Sequence, residues 1–251
     1  VEEVSRELVA SAGGYLRNVV RVSGVTCEVC RTPVEQPYVR CFRCHSAASG
    51  LSSGRLADVV VPLTYAVGGQ QSGYLLRHYK DDVSPATRLR LQQTISRIIV
   101  LGIVCHERCI AESVGRPVNV RMTIPSLSGR AGVHPLEQLA RTMQAVGELP
   151  ALVKSDRATS QRVVSASQFE LAPGSDVVGK HVLLIDDVWT TGSRAQSAAL
   201  CVRAAGASAV SVLVVARWLD PNFGPTGPFI KSRLTSDYDP ATCPVTGGAC
   251  P

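Results

Sequence analysis

The stretch HVLLIDDVWTTGS, His181 to Ser193, drives an apolar run straight into two carboxylates and then into hydroxyls and a glycine. A buried strand cannot end on unpaired charge without cost, so Asp186 and Asp187 are expected to face a ligand or solvent. Adjacent carboxylates that alternate direction at a strand end can accept hydrogen bonds from a vicinal diol or reach a magnesium shell. The Thr190-Thr191-Gly192-Ser193 loop adds hydroxyls, a hinge at Gly192 and free N–H groups where the next helix starts. That set suits a phosphate monoester, so diol and phosphate together point to a ribose 5-phosphate. A turn with a helix cap would account for one or two of these residues but not for six in a row. Neither GxxxxGK[ST] nor GxGxxG occurs, which excludes the common nucleoside-triphosphate and dinucleotide loops.

A second constellation is built from cysteine. Cys27, Cys30, Cys41 and Cys44 form two CxxC pairs with ten residues between them. Two such pairs supply the four soft ligands of a tetrahedral zinc site, and a segment this poor in apolar residues needs such a staple to fold. Four protein ligands leave no open position, so the expected role is structural, with His45 a weaker substitute ligand. Arg31, Arg40 and Arg43 nearby keep nucleic acid or a partner protein open as a contact of this segment. Cys105 and Cys109 share a helix face and read as small buried hydrophobes, Cys201 reads as core, and Cys243 and Cys250 leave a disulfide or a metal contact open.

The elements that must position these groups can be read from periodicity. The chain has 251 residues, 45% hydrophobic and 18% charged, with only 5% aromatic, so its core is aliphatic. Strands are expected at LADVVVPLTYAV, VNVRMTIP, ALVK, KHVLLID and AVSVLVVARWL. Helices are expected from Ser84-Pro85 to about Glu112, from His134 to Ala145 and over 193–205, with Gly206 as a stop. Alternating strands and helices make an α/β protein with a mostly parallel central sheet flanked by helices. The expected organisation is a helix and cysteine knuckle over 1–50, closed by a Ser/Gly-rich linker, the main domain over 51–220, and an irregular Pro/Gly-rich tail over 221–251. The segment SDRATSQRVVSASQFELAPGS reads as an extended or mobile excursion.

No apolar run approaches the roughly 18–20 residues of a membrane span, and the first residues lack the order of a secretion signal. The expectation is therefore a cytoplasmic protein that does not engage a membrane. The net charge of +6 is dispersed, with no adjacent lysines or arginines, and by itself identifies no nucleic-acid binder.

VLLIDDVWTTGS resembles the signature of the type I phosphoribosyltransferases, which bind phosphoribosyl pyrophosphate. The likeness extends over roughly residues 25–218 to the ComF group of that family, the late-competence proteins. It rests on the cysteine knuckle, GYLLRHYK, IPSLSGRAGVHPLEQLA, DRATSQRVVSASQFEL and the acidic strand end, in that order. The resemblance implies a type I phosphoribosyltransferase fold with a small N-terminal zinc module. It also implies that Asp186 and Asp187 hold the ribose hydroxyls and that Val188, Trp189, Thr190, Thr191, Gly192 and Ser193 wrap the 5-phosphate. If phosphoribosyl pyrophosphate binds, Ser126, Leu127, Ser128 and Gly129 form the natural pyrophosphate loop, with Arg130 supplying charge beside the two catalytic aspartates. Lys154 and Arg157 are candidates to close over it, and Mg²⁺ is the expected second metal.

The chain differs from this pattern at Val133, His134 and Pro135 to Glu137, where the acceptor would be read, and the acceptor is left unassigned. Trp189 either stacks at the mouth of the site or shields the loop, and His134 is a general base or a helix cap. Three functions follow. The first is transfer of a phosphoribosyl group to a nitrogen nucleophile; the others are a ComF-like DNA-uptake or nucleic-acid-handling role, and sensing of phosphoribosyl pyrophosphate without turnover. A homodimer is left open.

Overall fold

The computed structural model describes residues 1–50, 54–81, 83–127 and 133–251. Four strands make a parallel sheet in the order β1-β6-β5-β2: β1 (Val59–Val67), β2 (Val120–Thr123), β5 (His181–Trp189) and β6 (Ala209–Leu219). Two further strands, β3 (Leu152–Lys154) and β4 (Phe169–Leu171), pair antiparallel as a separate ribbon. The helices are α1 (Glu2–Leu8), α2 (Phe42–Ser49), α3 (Gln71–His78), α4 (Pro85–Val114), α5 (Pro135–Thr142), α6 (Ser193–Ala204) and α7 (Thr226–Arg233).

The sheet strands are continuous runs of Val, Leu, Ile and Ala because both faces are covered, as a parallel sheet requires. Leu183 and Ile185 of β5 pack with Leu213 and Val215 of β6 against α1, α3 and α4. Their neighbours Val182, Leu184, Val210 and Val212 pack on the opposite face against α6. Helix α4 begins where Ser84 accepts a hydrogen bond from the Thr87 N–H at 3.3 Å with Pro85 in the first turn, and ends at Gly115 with φ +74°. It lies so close to β1 that a Cβ on Gly102 would fall 2.4 Å from Leu63.

The cysteine segment is docked on the sheet. Cys27, Cys30 and Cys44 are buried in the same apolar cluster as Val60, Met122 and Val182, and the Tyr65 hydroxyl of β1 donates to the Arg31 carbonyl at 2.8 Å. Two expectations need correction. The Ser/Gly-rich linker, expected over HSAASGLSSGR, begins later than that: HSAAS continues α2, because its small residues permit the helix to run on to Ser49. The tail over 221–251 is not uniformly irregular: Phe229 of α7 stacks edge-on against Tyr65, and Tyr238, Cys243 and Val245 are buried against α4 and the N-terminal helix. Proline and glycine hide that burial from any periodicity. The excursion after β3 forms the β3–β4 ribbon, with a short 3-10 turn at Ala166–Gln168 packed against α6. No helix among the described residues is long and apolar enough to cross a membrane.

Candidate functional site

β5 and β2 are hydrogen-bonded neighbours, and both deliver their carboxyl ends to one edge of the sheet. In an open parallel sheet that edge is where ligands bind. Along β5, Asp186 follows Leu184 toward the α6 side, while Asp187 follows Ile185 toward the α3 side. Asp187 is buried and its Oδ2 accepts from the Tyr79 hydroxyl at 2.8 Å and from Lys80 Nζ at 2.6 Å. Both donors sit just beyond the end of α3. Asp186 is only partly covered, and its Oδ1 accepts from the Asp187 backbone N–H at 2.9 Å.

The two carboxylates titrate apart. Burial and the neighbouring Asp187 charge push Asp186 up to about 7. Burial opposes ionisation of Asp187 as well, but the Lys80 ammonium and the hydrogen bonds from Lys80 and Tyr79 outweigh it and hold that carboxyl below the usual range. One carboxylate is thus fixed as an anion while the other is poised near neutrality.

Two cavities meet over this pair and share Lys80, Asp186, Asp187 and Arg194. The first, about 160 Å³, is lined further by the loop Val188 to Ser193 and by Arg162. The second, about 90 Å³, extends toward Ile124, Pro125, Ser126 and His134 at the end of β2. Gly192 caps α6 with φ +80°, and a Cβ there would lie 2.1 Å from the Trp189 ring, so only glycine fits. The first-turn N–H groups of α6 have no intrahelical acceptors and open onto this loop. Thr191 and Ser193 place hydroxyls 3.1 Å apart beside them.

The loop is fastened from below. Arg217 of β6 is buried, and its guanidinium donates to the carbonyls of Trp189 at 2.8 Å and Thr190 at 3.0 Å. With its carbonyls turned toward Arg217, the loop keeps its remaining polar groups for the cavity. Trp189 is 2% exposed and packs in the α6-side cluster, so its ring shields the loop and does not stack at the mouth.

Of the other expected residues, Ser126 lines the second cavity and Leu127 is largely buried beside it in sequence, in the α6-side cluster. Ser128, Gly129 and Arg130 lie outside the described residues. Lys154 is exposed on β3 and Arg157 is exposed beyond it, and neither lines the cavities; Arg162, from the same excursion, does. His134 caps α5, its Nδ1 accepting from the Leu136 N–H at 3.3 Å, and it also borders the second cavity. Sequence reasoning gave no role to Tyr79, Lys80, Arg162 or Arg217. GYLLRHYK carried a signal for the first two, since a Tyr-Lys pair just past a helix end sets a hydroxyl beside a cation.

The Sγ atoms of Cys27, Cys30, Cys41 and Cys44 all lie within 4.8 Å of one another, with Cys30 and Cys41 3.7 Å apart. Four sulfurs about 2.3 Å from a central zinc would stand ~3.8 Å apart, so the set fits a tetrahedral metal. Crowding couples the four thiols: those of Cys30, Cys41 and Cys44 hold Cys27 low, while Cys27 pushes Cys41 and Cys44 up. Two buried guanidiniums, Arg31 and Arg217, lie near these sulfurs, and among the described residues neither pairs with a carboxylate and each leaves Nε without an acceptor. Buried cations of that kind need a negative neighbour, and a metal held by four thiolates is a dianion. His45 is exposed, 3.4 Å from the Ser49 hydroxyl, and takes no part.

Cys109, expected to be an inert buried thiol, stands instead with His106, Cys243 and Cys250 in a second group whose ligand atoms lie within 4.8 Å of one another. Either cysteine-rich group is able to hold a metal. In comparisons with known proteins, no family model matches the chain and no curated protein matches it.

Proposed function

We propose that the cleft binds phosphoribosyl pyrophosphate and passes its phosphoribosyl group to a nitrogen nucleophile, releasing pyrophosphate, on a type I phosphoribosyltransferase fold like that of the ComF group. The observation that carries this reading is the divergence of Asp186 and Asp187 onto opposite sides of one strand end, directly beside a glycine-hinged loop and a helix start. Asp186 and the free oxygen of Asp187 are placed to accept hydrogen bonds from the two ribose hydroxyls. The 5-phosphate fits the loop from Thr190 to Ser193, where N–H groups, hydroxyls and Arg194 favour an anion. The pyrophosphate then extends into the second cavity, toward Ser126 and Lys80.

Breaking the bond at C1 develops positive charge on the sugar and negative charge on the leaving group. Lys80, anchored on Asp187, meets the leaving group with a positive charge that needs no rearrangement. Arg162 brings a further cation to the first cavity, over the 5-phosphate loop, from the flanking segment, which suits a cover that excludes water. Mg²⁺, when bound with the substrate, would neutralise the pyrophosphate and draw electrons from the bond to C1. Zinc is the metal we assign to Cys27, Cys30, Cys41 and Cys44, in a structural role.

Calorimetric titration with phosphoribosyl pyrophosphate and Mg²⁺ tests the reading. Saturable binding to the wild type that is abolished by Asp186→Asn with Asp187→Asn supports it, and no binding to the wild type overturns it. Pyrophosphate release over a panel of bases and amines separates turnover from sensing.

A nucleic-acid-handling role is favoured by a different observation. Around the cysteine centre, Tyr38 is 65% and Phe42 75% exposed, with Arg40 and Arg43 exposed beside them. Aromatic faces interleaved with cations are what single strands stack and slide on. Salt-dependent binding of single-stranded DNA, lost in Phe42→Ala with Arg43→Ala, would support that role.

A further inference from the structure

The C-terminal segment and the long helix α4 bring together a histidine and three cysteines that none of the chemistry above uses. His106 and Cys109 are three residues apart on α4 and so face the same way. Cys243 and Cys250 flank a tight turn. The Cys243 N–H donates to the Gly248 carbonyl at 2.8 Å, the Gly247 N–H donates back to the Cys243 carbonyl at 2.8 Å, and Gly247 adopts φ +85°. The turn folds the two sulfurs toward the helix, and all four ligand atoms fall within 4.8 Å of one another.

The imidazole is already set for a metal. His106 Nε2 lies 3.2 Å from the Pro240 carbonyl oxygen, and a carbonyl can only accept. Nε2 therefore carries the proton, and Nδ1 presents its lone pair 3.4 Å from the Cys250 sulfur. A carbonyl behind the ring is the outer partner that fixes the tautomer of metal-bound histidines. Arg21 closes the turn, its guanidinium donating to the Pro244 carbonyl at 3.2 Å, which brings positive charge beside the thiols.

We propose that His106, Cys109, Cys243 and Cys250 bind a zinc ion, independent of the N-terminal cysteine centre, that fastens the C-terminal segment onto α4. Three thiolates and an imidazole select zinc over the hard oxygen-seeking cations. Four protein ligands complete its tetrahedron, so the site holds structure and does not activate water. The segment has reason to need it: from Thr235 on, its buried side chains are Tyr238, Pro240, Cys243, Pro244 and Val245, in an otherwise mostly exposed sequence rich in proline and glycine. A disulfide between Cys243 and Cys250 is the competing chemistry, and it would leave His106 and Cys109 without purpose.

Metal content decides the matter on the full chain, purified under reducing conditions, loaded with Zn²⁺ and freed of excess. Cys250→Ser and His106→Ala each lower the zinc content by one equivalent, whereas Cys105→Ser on the same helix leaves it unchanged. Cys27→Ser with Cys30→Ser removes a different equivalent, so the two sites add. With Co²⁺ in place of zinc, the wild type shows thiolate charge-transfer absorption that falls in Cys250→Ser. His106→Cys keeps the metal and shifts its visible bands, which a folding defect would not do. Zinc content unaffected by Cys250→Ser and His106→Ala, or a Cys243–Cys250 disulfide found by mass spectrometry in protein alkylated on lysis, overturns the proposal.

Discussion

Asp186 and Asp187 are neighbours in sequence yet opposites in environment. Asp187 has Tyr79 and Lys80; Asp186 has the charge of Asp187 at its back. The consequence for stability can be signed. Asp186 has its pKa raised to about 7 in the folded chain, so between the ordinary carboxylate range and 7 the folded state holds the extra proton. Its contribution to stability is therefore largest in acid and is lost as pH rises through about 7. Replacing it with asparagine should raise the melting temperature at pH 8 by several degrees, at roughly 2–4 °C per kcal/mol for a chain of this size, and the gain should vanish near pH 4. Melting curves at the two pH values check this, and an equal shift at both would show that the charge of Asp186 is not the cause. The carboxylates themselves were legible in sequence because they are contiguous. Their partners were not: Lys80 lies 107 positions from Asp187, and only the packing of α3 on the sheet brings them together.

At the scale of elements, the turn from β5 into α6 is tightly constrained. Gly192 is both left-handed and overlaid by the Trp189 ring. Gly192→Ala should cost ~1–2 kcal/mol for the backbone alone, with the overlap adding to it. Pairing it with Trp189→Leu should return part of the loss by opening space. Denaturant midpoints of the single and double variants measure this, and no recovery in the double variant would place the whole cost in the backbone.

The elements around that turn were largely readable. β1, β5, β6, α4 and α6 lie close to where apolar runs, caps and glycine stops put them. Strict alternation fails at one place: Ile185 and Val188 both pack toward the α3–α4 cluster, so Trp189 turns to the other side. Period-two reasoning would have sent it after Asp187, and for that reason its role stayed open on sequence alone. β3 lies where a strand was expected at ALVK, but its partner β4 was missed, because a strand of three residues carries too few positions for any period to register.

Across the molecule, the cysteine centre and the loop from Val188 to Ser193 are joined by Arg217. Its row in the sheet runs Tyr65, Arg217, Trp189 across β1, β6 and β5, with Cys30 near enough for their charges to interact. Stripping metal from the cysteine centre should leave that buried guanidinium without its counter-charge and loosen its hold on the carbonyls of Trp189 and Thr190. On the proposed function, affinity for pyrophosphate or phosphoribosyl pyrophosphate should then fall by about tenfold, within the 1–3 kcal/mol usual for coupling between sites. Titrations before and after treatment with a strong chelator, and again after re-addition of Zn²⁺, test this; unchanged affinity throughout would mean that the two centres are independent. None of this was visible in the sequence. Arg217 sits in the run AVSVLVVARWL as a lone cation in a buried strand, a position that invites a search for a partner but does not name one.

The sharing of one guanidinium also bears on portability. A cysteine knuckle looks like a cassette, to be cut at its ends and grafted elsewhere. Here one of the two buried guanidiniums near its sulfurs is supplied by β6 of the sheet and the other by its own Arg31. A transplant of residues 25–50 onto a foreign sheet would arrive one cation short, and a host that lost the knuckle would keep a stranded arginine beneath its loop. The two parts would have to be moved, or redesigned, as a pair.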